Sequence, residues 1–170
     1  MGSSRETVEI ATDLILKEIK SNIEAALVDV RADRSDPSVS TEAPRSYYIY
    51  AGALSYQAPA VFVICDTIDF QKDEGANHLN SRMEFKVAVV VEDYDMVKLT
   101  KKAWRYQAAL HKILDQTQLL SNSGKEKLTL VIEFASFSPE FTDSGAPGNE
   151  RMMYRKEIML EVTVRHFEGF

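Results

Sequence analysis

Cysteine is almost missing: Cys65 is the only one in 170 residues. No internal disulfide can form, and no metal cage built from cysteines is possible. Long apolar runs are missing too. None approaches the ~18–20 residues that a membrane-spanning helix needs, and the N-terminus has no apolar core of a signal peptide. These absences lead us to expect a soluble protein suited to a reducing cytoplasm, with no membrane partner. Basic excess is absent as well: the formal net charge is −6. Nucleic-acid readers normally carry a basic stripe, so this balance argues against specific DNA binding. It remains compatible with a protein that surrounds DNA without gripping it. Glycine is sparse and forms neither a Walker pattern nor a dinucleotide fingerprint. The histidines, His78, His111 and His166, fall in a loop, a helix and a strand without metal-ligand spacing, and read as surface residues. No cofactor is expected.

What is present is ordinary core material, with 45% hydrophobic and 27% charged residues. The chain is long enough to bury one core, so residues 1–170 read as a single domain. From Arg5 to about Arg31, Val8, Ala11, Ile15, Ile19, Ile23, Ala26 and Val30 fall on one helical stripe. Ile10 and Leu14 lie off it, either as ordinary exposed apolars or as a second contact surface. Residues 32–46 have no period and are rich in serine and proline, which predicts a long mobile or binding loop.

Tyr47–Tyr50 and the apolar run Ala60–Cys65 predict two strands. Asp66–Ser81 turns acidic and polar and is expected to be a loop. Its acids Asp66, Asp69, Asp73 and Glu74 lack the ligand order of a calcium loop and read as solvated. Arg82–Glu92 alternates cleanly: Met83, Phe85, Val87, Val89 and Val91 face one way, Glu84 and Lys86 the other. Asp93 or Asp95 then caps a helix over about Met96–Gln116, whose apolar face carries Leu99, Ala103, Tyr106, Leu110 and Ile113. Lys98, Lys101, Lys102, Arg105 and Lys112 line its other side. Lys127–Ser136 and Met153–Phe167 alternate as strands, separated by a Pro- and Gly-bearing loop over 138–150. The expected fold is α+β: a mostly antiparallel sheet flanked by two amphipathic helices, in the order α-β-β-β-α-β-β.

Chemistry is thin. Cys65 sits in an apolar strand, where an inert thiol is expected. Asp66 at a strand end, followed by Glu84 and Lys86 on the next strand, resembles the PD-(D/E)xK nuclease family. That resemblance implies two carboxylates holding a divalent metal and a lysine positioning water. Glu-x-Lys is a common triplet, however, and no proline precedes Asp66. An ion pair on a solvated sheet face is the plainer reading, and we expect no enzyme. On the second helix, Val97, Trp104 and His111 repeat every seventh residue. Trp104 either packs beneath a neighbouring loop or anchors an interface, where tryptophan is enriched.

The order of elements, the segment Tyr47–Asp66, the strand Arg82–Glu92 followed by the Trp104 helix, and the closing strand Tyr154–Arg165 together resemble the tail-terminator and neck proteins of tailed bacteriophages. These are also called tail-completion or head–tail joining proteins. The resemblance implies a virion protein, made in the host bacterial cytoplasm, that forms a ring, commonly hexameric. Such a ring ends the tail tube, meets tail-tube and head-connector or stopper proteins, and lets DNA pass. An adaptor or stopper position in the same particle is the alternative. A ring needs two different patches that fit each other. The candidates are Ile10, Leu14, Val97, Lys101, Trp104 and Arg105 on the helices, against the acidic Asp69, Asp73 and Glu74. Phe141, Asp143 and Glu150 are candidates for docking to the tube or connector.

Overall fold

The computed structural model describes residues 4–34, 36–49, 57–72, 79–120, 126–137, 141–143 and 153–168. Among these residues two helices, α1 (Ser4–Ala32) and α2 (Met96–Leu114), accompany seven strands. The strands are β1 (Ser46–Tyr48), β2 (Ala60–Lys72), β3 (Leu79–Asp93), β4 (Gln118–Leu120), β5 (Glu126–Phe137), β6 (Phe141–Asp143) and β7 (Met153–Glu168). They form one sheet in the order β1-β2-β3-β7-β5-β4, with β6 paired to the start of β7. The α+β class and the antiparallel character follow the expectation from sequence. Every described pairing is antiparallel except β1 with β2, which run parallel.

Three expectations are corrected. The acidic segment after Cys65 is not a loop: β2 continues to Lys72, and its register with β3 pairs Lys72 with Leu79. Ile68 and Phe70 alternate with polar residues there, and hairpin pairing prevails over local charge. The expected loop 138–150 contains strand β6, recruited by the long N-terminal half of β7. β4 is a further short strand, laid against β5 immediately after α2.

Both helices lie on one face of the sheet. Ala11, Ile15, Ile19 and Ile23 of α1 and Leu99, Ala103, Tyr106 and Leu110 of α2 share one core with Val61, Val63, Phe85, Val87, Val89, Ile158, Leu160 and Val162. Alternation along each strand makes this possible, since every second side chain points to the helices. The Asp95 carboxylate caps α2, accepting from the Val97 and Lys98 backbone N–H groups at 2.8 and 3.1 Å. On the opposite sheet face Ala60, Phe62, Ala88 and Val90 form a smaller apolar cluster. Tyr48 stacks on Phe62 there, with ring centroids 5.2 Å apart.

The described residues between α1 and β1 carry no helix or strand, as expected of a loop. They are fastened to α2 as a strap. The buried Arg105 guanidinium donates to the carbonyls of Val39 (2.6 Å) and Asp36 (2.8 Å). The Tyr106 hydroxyl donates to the Glu42 carbonyl, and the Val39 side chain is buried. The strap ends where the Arg45 N–H donates to the Pro59 carbonyl at 2.8 Å. A loop of this length stays in place because α2 supplies donors for carbonyls that would otherwise be buried without partners.

Candidate functional site

The outer sheet face carries a groove of ≈260 Å³ where β2, β3 and β7 run side by side, lined by Asp66, Arg82, Glu84, Lys86, Glu161 and Thr163. A bulge between Cys65 and Thr67 sets Asp66 out of register, so its carboxylate reaches across to Lys86 Nζ at 3.0 Å. Glu84 faces Arg82 at 3.7 Å, and both side chains are about half exposed. The three residues of the nuclease resemblance therefore do meet in one groove. Each carboxylate nevertheless has a cation in front of it. Among the described residues no three His, Cys, Asp or Glu side chains are placed to hold a metal ion. Cys65, beside the groove, is half-buried rather than fully enclosed. Burial, and then the Asp66 charge, push its thiol pKa up and keep it protonated.

The basic side of α2 is largely satisfied within the chain. Lys101 holds Asp36 at 2.5 Å, Lys102 holds Asp93 at 2.6 Å and Lys112 holds Asp29 at 2.8 Å. Arg105, offered above as an interface residue, is only 3% exposed and belongs to the strap clasp. Lys101 is likewise engaged with the strap. Acids of the same chain thus already lie within ion-pair distance of these three lysines. The Asp36 carboxyl is held well below the usual carboxylate range, chiefly by its hydrogen bond with Lys101 and then by Ser38. For Asp93, burial alone raises the pKa. The Lys102 ammonium and the Asp95 N–H outweigh that and leave it lowered.

Val97 and Trp104 are 64% and 48% exposed, on the outward flank of α2. Trp104 is therefore not packed beneath a loop. Tyr94, which nothing in the sequence singled out, is exposed just before the same helix. On α1, Leu14 is half-buried and partly packed on the core, and Ile10 is half-buried. Asp69 lies in β2 opposite Arg82. Phe141 and Asp143 lie in β6, while Asp73, Glu74 and Glu150 fall outside the described residues. Sequence reasoning missed the role of Asp36. Its signal was the Asp36-Pro37-Ser38 turn, closed by the Ser38 N–H donating to the Asp36 carboxylate at 3.1 Å, followed by Val39 as a lone apolar anchor.

Among the described residues the sheet is open along much of both edges. β1 covers only Ala60–Phe62 of β2, and β4 covers only Lys127–Thr129 of β5. The rest of each outer edge has no described strand beside it.

No helix among the described residues is long and apolar enough to cross a membrane. No family model matches the chain, and no curated protein matches it. Among solved structures, the chain is similar to one from a structure described as "Virion of native gene transfer agent (GTA) particle". The two share 13% identity with a TM-score of 0.42, over 86% of this chain and 97% of that one. Likeness at that level defines no family.

Proposed function

We propose that this protein is a structural, non-catalytic subunit of a tailed-phage particle, which forms a ring at the end of the tail tube and joins tail to head. The observation that carries this reading is that, among the described residues, both edges of the sheet are largely uncovered. β2 beyond Phe62 and β5 beyond Thr129 are two different edges on opposite sides of one sheet. Open edges favour pairing with another chain. Two unlike edges favour head-to-tail addition, which closes into a ring when the rotation per subunit allows. The exposed Val97–Trp104 flank of α2 is a second surface for tube or connector proteins. The acidic balance of the chain suits a lumen through which DNA slides without sticking, since a basic lining would add phosphate affinity.

Light scattering and negative-stain microscopy test this, with the protein alone and mixed with tail-tube protein. Rings of constant diameter, six subunits each, are the expected result. A strict monomer under both conditions overturns the reading.

A further inference from the structure

The outward face of α1 is largely exposed, with Leu14 partly packed on the core, and its two ends are unlike. At the C-terminal end lies an open hollow of ≈630 Å³ lined by Val28, Arg31, Ala32, Arg34 and Pro37. Its shape is set by the strap, because Arg105 and Lys101 hold Asp36 beside Pro37. Val28 is 48% exposed. Neither arginine side chain has an acidic partner among the described residues, because Asp29 is engaged by Lys112 and Asp36 by Lys101. Helix C-termini favour cations, which accounts for some of the preference for Arg31 there. It does not account for the exposed apolar side chains beside it.

At the N-terminal end the same face carries the exposed acids Glu9 and Asp13 beside the half-buried Ile10 and Leu14. Ile10 and Val28 are about five turns apart, roughly 27 Å, and so project in the same direction. The same spacing relates Asp13 to Arg31 and Leu14 to Ala32. Between the two ends the face holds Lys17, Ser21, Glu24 and Ala25, all exposed. Positions 10, 14, 17, 21, 24, 28 and 31 alternate steps of four and three, so they share one face of the helix, apolar towards its ends at Ile10, Leu14 and Val28 and polar between them.

We infer that α1 pairs antiparallel with α1 of a second copy of this chain about a two-fold axis near Ser21. Turned end for end, the face matches itself. Leu14 meets Val28, Ile10 meets Ala32 at the hollow, and Lys17 lies against Glu24. Glu9 and Asp13 approach the two arginines. Each contact occurs twice, as an isologous interface requires. The small Ser21 and Ala25 let the helices approach at the centre. Two ion-pair clusters, at the two ends, set the antiparallel direction, because a parallel pair places acid beside acid and base beside base. This contact is separate from the head-to-tail contact of a ring. It pairs free subunits or joins two rings.

Charge reversal tests it, with sedimentation velocity on the full chain. Wild type is expected to form a dimer with a dissociation constant that rises at least tenfold in Asp13→Arg and in Arg31→Asp. An equimolar mixture of the two variants is expected to pair, and the double swap D13R/R31D to restore the homodimer. In a Cys65→Ser background, Ser21→Cys is expected to form an oxidised dimer, whereas Asn22→Cys, pointing elsewhere, does not. Single reversals without effect, a double swap that fails to restore pairing, or a wild type that stays monomeric each overturn the inference. Rings that persist unchanged in the reversal variants leave the ring reading standing while this one falls.

Discussion

Arg105 and Val39 stand 66 positions apart, yet the Arg105 guanidinium donates to the Val39 carbonyl at 2.6 Å in a buried setting. Its other terminal nitrogen reaches the Asp36 carbonyl, so one side chain satisfies two acceptors of a segment that has no secondary structure of its own. The arginine is the centre of the strap clasp. A buried cation held by two carbonyls also keeps α2 and the strap in one fixed relation.

Replacing it is expected to loosen both. Arg105→Ala leaves two carbonyls without donors and opens a gap, at a cost of about 2–3 kcal/mol. Chemical denaturation measures the loss, and hydrogen exchange is expected to rise selectively over residues 36–45. Arg105→Lys recovers little, because a single ammonium cannot replace the two-pronged guanidinium. Uniform exchange across the whole domain would mean that the clasp is not a local device.

Tyr106→Phe removes only the hydroxyl that donates to the Glu42 carbonyl. The ring is buried, and burial holds its pKa well above the ordinary phenol range, so the group is a neutral donor at every working pH. A loss of about 1 kcal/mol is expected, measured by urea unfolding with an unchanged slope.

Acid is expected to weaken both the strap contact at Asp36 and the Asp93–Lys102 pair at the end of β3. Asp36 and Asp93 both have folded pKa values lowered below the ordinary carboxylate value, which is about 3.9 in an unfolded chain. The unfolded chain therefore binds more protons in this range. The stabilisation is full above about pH 4 and is lost as the pH falls through the folded values. Thermal melts from pH 7 to pH 2 are expected to decline below about pH 4. Asp36→Asn should start lower and decline less. An identical decline in this variant would assign the acid sensitivity elsewhere.

Gln116 follows α2 at φ 61°, in the left-handed region that glycine occupies without cost. Gln116→Gly is expected to raise stability by roughly 0.5–1 kcal/mol, read as a higher melting temperature. A lower melting temperature would show that the glutamine side chain contributes something its backbone geometry does not reveal.

The groove on the outer sheet face is expected to be chemically quiet. Asp66 and Glu84 are faced by Lys86 and Arg82, so a divalent ion has to displace a cation to bind. Duplex DNA incubated with the protein and manganese should remain intact. Metal-dependent cleavage abolished by Glu84→Ala would make the protein a nuclease and overturn the structural reading.

The layout of the fold was legible because periodicity is a local property. The seven-residue stripe from Val8 to Val30 located α1, the alternation from Met83 to Val91 located β3, and Asp93 or Asp95 marked the start of α2, with the structure deciding for Asp95. The α+β class follows from those patterns alone, since a face that repeats apolar side chains has to be covered. β4 and β6 were not legible. Three residues carry no period, and such strands exist only because β5 and β7 offer them an edge.

Partner choice was the part that sequence left undecided. Composition set the acidic balance, the lone thiol and the absence of a metal motif. It did not decide that Lys101 takes Asp36, that Lys86 takes Asp66 across a bulge, or that Arg105 turns inward. Carboxylates and cations are chemically interchangeable along the chain. Which of them meet depends on distances that only packing establishes. The same holds for the edges of β2 and β5 that no described strand covers and for the exposed face of α1, which appear only once the remaining surfaces are filled.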